Sequence, residues 1–320
     1  MYKRQVYTPT LNYSGTEFFS YTIRESGSQL TATALITVTV VKAPSSNADP
    51  ASLALSSGPL TPAFISTTTS YTAAVDNLTT SVMVTPTLND ANATLSVNGA
   101  PLASGEPYTL TPLTVGPNVR STTVTAEDGA TQQTYVITVT RLGADGDWYA
   151  DPVGDNANSC RAPGVGYACQ TIIGAMDKAA SGNRIFIAAA TYTESLVVTK
   201  SLQFIGVGGP TVSGGGTNRV FSVTTGVDVT MDGLTVTGGW LSGSTPANRA
   251  GAGIYSRGAL TLTNMGITNK LASSAFASTG GGGIYNTGDL RPLDVAISDH
   301  KARPAPVPYK HLTLPPSGLV

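Results

Sequence analysis

Cys160 and Cys169 are the only cysteines in the 320-residue chain, and eight residues separate them. Two thiols are too few for a disulfide scaffold or a structural zinc site. They suit one disulfide that closes the Pro- and Gly-bearing loop Arg161–Ala168 in an oxidising compartment. Asp145, Asp147, Asp151 and Asp155 form the densest acidic run, and hard cations take oxygen ligands of this kind. Their spacing is not that of an EF-hand, and turn chemistry at a domain junction accounts for the run more simply. Calcium is therefore the one cofactor the sequence leaves open, and no other is expected. Asn89-Asp90 lacks carboxylate partners and reads as a turn. Trp148, Tyr149 and Trp240 offer apolar faces with polar handles that could stack on sugar rings, or that pack in the core or cap.

Cleavage of a polysaccharide needs paired carboxylates, or an acidic cluster holding a cation beside a base. Residues 201–300 carry only Asp228, Asp232, Asp289, Asp294 and Asp299. In the 30-residue register described below, Asp289 falls on Ala259 and Asp294 on Asn264, so neither has an acidic partner one repeat earlier. Arg219, Arg249, Arg257, Lys270 and His300 then read as solvated edge or turn residues. Gly280-Gly281-Gly282-Gly283 is followed by no Lys and no helix, so it is a tight corner, not a phosphate loop. No catalytic residue is assigned.

The elements that would position these residues are almost all strands. Charged residues make up 12% of the chain, against 46 threonines, 35 glycines and 20 prolines, a composition of β-formers and turn-formers. A net charge of −1 leaves no basic surplus for a phosphate backbone, so nucleic acid is not expected as a partner. No apolar run is long enough to span a bilayer as a helix. Period-two alternation in Phe18–Ile23 and Leu30–Val40 around Glu25-Ser26-Gly27-Ser28 predicts a hairpin with one buried face. Such a hairpin needs further strands for stability. Six short strands between Leu53 and Thr140, separated by Gly, Pro, Asn and Asp turns, predict a sandwich. Thr171–Ala180 predicts a short helix with Ile172, Met176 and Ala179 on one face and Gly182 as its stop. Short β-branched runs follow it, from Arg184–Ala188 to Leu234–Thr237, and suit a solenoid. An internal repeat supports this: Gly251–Leu260 aligns with Gly281–Leu290, and Met265–Thr268 with Val295–Ser298, at an offset of 30 residues.

Three resemblances attach to these segments. Tyr7 through Ile23 resembles the end of the tandem immunoglobulin-like or cadherin-like repeats of large bacterial surface proteins. Leu53–Gly58, Leu60–Phe64, Thr69–Thr72, Asn98-Gly99 and Val124–Gly129 leading into Tyr135–Arg141 resemble the bacterial cadherin-like β-sandwich family. That likeness implies a spacer or carbohydrate-associated module with no catalytic residues. Tyr149–Pro152, Gly154–Cys160, Cys169–Ile172 and Ala189–Glu194 resemble the entrance and capping helix of right-handed parallel β-helices of the pectate-lyase-like superfamily. The Gly-Gly-Gly-Ile-Tyr repeats are similar to those of polymorphic outer-membrane proteins. The ends, Met1–Gln5 and 307–320, resemble translated sequencing adapters and are read as non-native.

The expected fold is all-β, in three parts. Residues 6–43 form the C-terminal part of an immunoglobulin-like or cadherin-like repeat. Residues 49–142 form a complete β-sandwich. Residues 145–306 form a truncated right-handed parallel β-helix with a short N-terminal capping helix. The function expected is that of a non-enzymatic extracellular or cell-surface protein, with extracellular glycans or surface proteins as partners. The competing expectation is a polysaccharide lyase or glycoside hydrolase whose catalytic coils lie beyond the C-terminal end, and a third is a stalk without a ligand.

Overall fold

The computed structural model describes residues 6–11, 13–242, 250–268, 270–273, 282–298 and 300–302. The ends 1–5 and 307–320, Asn12, Arg249, Asp299 and Gly280-Gly281 lie outside the described residues, as do the side chains of Lys270 and His300. The fold is nearly all β, with one short helix. Two compact units divide the chain, one with residues up to Tyr71, Met83–Tyr108 and Arg120–Ile137, the other with Thr72–Val82, Thr109–Val119 and everything from Thr138 on.

Strands β1 (Gly15–Arg24) and β2 (Thr31–Val40) form a ten-pair antiparallel hairpin. The pairs Phe19–Ile36, Tyr21–Ala34 and Ile23–Ala32 share one face, and Thr16–Thr39, Phe18–Thr37 and Thr22–Thr33 share the other. The expected buried face is not found: Phe19, Tyr21, Ile23 and Ile36 are 40%, 48%, 61% and 46% exposed. The physical reason is that β1 and β2 make a sheet by themselves, with no third strand among the described residues. Tyr7 stacks edge-on against Phe19, with ring centroids 5.2 Å apart, and leaves that face largely open.

The sandwich has eight strands, two more than its turn signals predict: β3 (Pro50–Leu55), β4 (Ser70–Val75), β5 (Val82–Leu88), β6 (Thr94–Val97), β7 (Ala100–Leu102), β8 (Tyr108–Leu110), β9 (Gly116–Thr125) and β10 (Gln132–Arg141). They form sheets of order β4-β10-β9-β6-β7 and β3-β5-β8. The unpredicted β7 and β8 are three residues each, and Pro101 and Pro107 in and beside them argue against a strand on local grounds. On β10, Tyr135, Ile137 and Val139 are all fully buried, as their shared face requires.

From Asp147 the chain coils. Strand β11 (Asp147–Ala150) leads to helix α1 (Ile172–Lys178), then to β12 (Arg184–Ala188), β13 (Thr191–Thr193), β14 (Leu196–Val198), β15 (Leu202–Val207), β16 (Thr211–Ser213) and β17 (Phe221–Val223). After these come β18 (Val229–Asp232), β19 (Thr235–Thr237), β20 (Trp240–Ser242), β21 (Ile254–Ser256), β22 (Leu260–Ile267), β23 (Lys270–Ser273), β24 (Ile284–Asn286), β25 (Leu290–Ile297) and β26 (His300–Ala302). Each strand pairs in parallel with a neighbouring coil, giving a curled parallel sheet that resembles a partial β-helix. Three columns of inward residues stack along it: Ile185–Phe204–Met231–Leu262, Tyr192–Val212–Val236–Ile267 and Leu196–Phe221–Ile254–Ile284. Each fully buried aliphatic or aromatic side chain in them contributes about 1.5–3 kcal/mol. Threonines take outward positions beside them, as in the column Thr191–Thr211–Thr235. This is where many of the chain's β-branched polar residues go.

In the first ladder, successive coils are 19, 27, 31 and 30 residues long, counted along Arg184, Gln203, Thr230, Thr261 and Arg291. The last step coincides with the repeat seen in sequence, with Ile254 on Ile284, Leu260 on Leu290 and Met265 on Val295. One corner takes left-handed backbone in three successive coils, where Gly233, Asn264 and Asp294 supply it at φ +69°, +51° and +52°. At another corner the inward Ser256 hydroxyl donates to the Gly258 carbonyl, and one coil on the Asn286 amide donates to that of Gly288. A methyl group on Gly258 would run into the Val227 carbonyl of the coil beneath. Gly258→Ala is therefore expected to destabilise the coiled sheet by about 3 kcal/mol, at the upper end of overpacking costs, read as a drop in its thermal midpoint.

Candidate ligand-binding surface

The entrance of the coiled sheet gathers most of the residues singled out from sequence. Helix α1 has only seven residues and no acidic residue in its first turn. Thr171 caps it by accepting from the Gly174 N–H at 3.0 Å. Glu194, from the next coil, accepts from the N–H groups of Ile172 and Ile173 through its two oxygens, both at 2.9 Å. At the other end Lys200 donates to the Met176 and Ala179 carbonyls at 2.9 and 2.7 Å. Opposite charges thus sit at the ends the helix dipole favours. Ile172, Met176 and Ala179 face inward, and the helix closes the open end of the core.

Cys160 and Cys169 are joined in a disulfide, with Cα atoms 4.9 Å apart and both residues fully buried. Tyr149 donates its N–H to the Cys160 carbonyl and accepts from the Cys169 N–H, each at 2.9 Å. The four aspartates do not converge, and no three His, Cys, Asp or Glu side chains do so among the described residues. Asp145 pairs with Arg161 at 3.0 Å, and the buried Asp147 holds Arg184 through both its oxygens at 2.7 and 3.0 Å. Asp151 and Asp155 accept from the N–H groups of Val153 and Ala157, two residues on.

The three aromatics lie apart in role. Trp148 packs partly buried against the core, donates its indole N–H to Asn183 at 2.8 Å and lies under the Arg161 guanidinium. Tyr149 stacks on Phe186, centroids 5.1 Å apart and rings 14° from parallel, and lies close over Gly143. Trp240 is half-buried on β20, in a different ladder. An aromatic pair not singled out from sequence is Tyr255 on Tyr285, at 5.2 Å and 7°. Arg219 and Arg257 lie 4.5 and 5.4 Å from the Tyr255 ring. The signal was the tyrosine recurring at the 30-residue offset next to an inward isoleucine. That places both rings on the outer face of one column. Among the described residues carboxylates do not meet across the ladders: Asp232 lies in register with Thr263 and accepts from the Asn264 amide at 2.9 Å.

Replacing both cysteines by serine should lower the stability of the coiled sheet by about 2–3 kcal/mol, the chain-entropy value for a loop of this length, checked by denaturant unfolding. Glu194 gives a pH signature. Burial disfavours its charge more than the two N–H donors favour it, so its pKa is raised. The folded state then binds this proton more tightly than the unfolded chain does. Its contribution is present in full below the ordinary glutamate value and declines as pH rises through the raised one. Stability followed against pH should show this decline, and Glu194→Gln should remove it.

Residues 50–142 match the family model described as a Cadherin-like beta sandwich domain. No curated protein and no solved structure matches the chain.

Proposed function

We propose that the chain belongs to an extracellular, cell-surface protein in which β-sandwich modules carry a right-handed parallel β-helix of the pectate-lyase-like kind for adhesion or for recognition of glycans or surface proteins. In this reading residues 6–43, 49–142 and 145–306 are successive modules, the source is bacterial, and no cofactor or turnover is involved. The observation that carries it is the match of residues 50–142 to a cadherin-like sandwich, a domain that suggests a cell-surface or adhesion-type role. The buried disulfide at the coil entrance supports an oxidising compartment. The ladder register supports recognition over cleavage, because Asp232 faces Thr263 and no pair of stacked carboxylates is formed among the described residues. No helix among these residues is long and apolar enough to cross a membrane.

The test is to incubate the full chain with a panel of purified bacterial and plant polysaccharides and with intact cells, measuring both retention and release of reducing or unsaturated ends. Retention without release is expected. Release of fragments would overturn the reading in favour of a glycan-cleaving enzyme, and retention by none would leave a stalk in its place.

A further inference from the structure

Between the sandwich and the coiled sheet, contacts close into a ring whose members all belong to one compact unit. Arg161, next to Cys160, accepts from the Gly143 N–H at 2.7 Å and donates to the Gly143 and Ala144 carbonyls at 3.2 and 3.0 Å. Two residues upstream, Arg141 donates to the Asn77 carbonyl at 2.8 and 2.6 Å and to the Leu113 carbonyl at 2.9 Å. Asn77 returns a bond to the Leu142 carbonyl at 3.1 Å. The loop that Arg141 holds runs on to Gly116-Pro117, and there it meets the disulfide-closed loop. The Pro163 ring lies on Gly116, whose φ of +100° and lack of Cβ make room for it, and Pro117 is the neighbour of Gly164. A Gly-Pro step thus faces a Pro-Gly step, each proline over the other's glycine. Ala162, between Arg161 and Pro163, is fully buried.

We propose that the Cys160–Cys169 loop is a latch, which holds the 109–119 end of the sandwich to the entrance of the coiled sheet and lets go when the disulfide is absent. Gly116 is buried under the half-buried Pro163 ring, and this Pro–Gly contact has no side-chain freedom to lose. The contact lasts only while both loops keep their shape. Arg141 and Asn118 hold the sandwich loop, Asn118 by donating to the Thr114, Gly116 and Val139 carbonyls at 2.8, 2.9 and 3.2 Å. The disulfide holds the other.

Hydrogen exchange on the full chain tests the latch. In the Cys160→Ala/Cys169→Ala double variant, the amides of 113–116 and 118 are expected to exchange about tenfold faster than in the parent, although no bond of the sandwich has been changed. Pro163→Gly, with the disulfide intact, should have the same effect on 113–118 while the Tyr149 and Cys169 amides stay protected. If the double variant loses protection throughout, Pro163→Gly decides the matter alone. Unaltered exchange at 113–118 in either variant would overturn the proposal, because the loops would then be neighbours without being coupled through the disulfide-closed loop.

Discussion

A parallel coil borrows half its hydrogen bonds and one side of its core from the next coil, so the first coil has an open end that water would otherwise enter. The rest of the coiled sheet depends on how that end is closed. Here the plug is a helix of seven residues, well below the length at which a helix is stable by itself in water. It persists because the coil it covers holds it at both ends. Glu194 takes the orphan N–H groups at the start, and Lys200 takes the orphan carbonyls at the finish. Plug and first full coil are therefore mutually dependent, and the inward columns begin from that surface.

The coiled fold was legible because its two signals are long-range and periodic. Ile254-Tyr255 and Ile284-Tyr285 repeat at the offset that the parallel register uses, so the stacking partner could be read without knowing the path between them. The sandwich was legible as a set of alternating strands, down to the buried face of Tyr135, Ile137 and Val139. Shorter pieces were not. Strands such as Thr191–Thr193 and Thr211–Ser213 carry one inward residue each, too few for any period to show. The hairpin is the opposite case, because strong alternation was present and nothing among the described residues covers the face it defines.

The site was less legible than the fold, for a reason visible in its arginines. In a chain with so few charges, Arg141, Arg161, Arg184 and Arg219 hold backbone carbonyls, an aspartate or ring faces within the protein. Sequence shows that a cation is present but not whether it is directed at a ligand or at a neighbouring loop. The same holds for the aspartate run, where spacing alone could not separate a cation cluster from two ion pairs and two turns. Trp148 shows the same ambiguity: its indole N–H and one ring face meet Asn183 and Arg161 within the entrance, contacts that its sequence position does not announce.

Coils of 19, 27, 31 and 30 residues all deliver a residue to the same outward column. The stack therefore fixes what faces inward but not how much chain lies between one ladder and the next. Lengthening a connection by a few residues leaves every inward column in place, at a loop-closure cost that grows only slowly with length. A surface built this way can change its reach and its contour, one coil at a time, on an unchanged core.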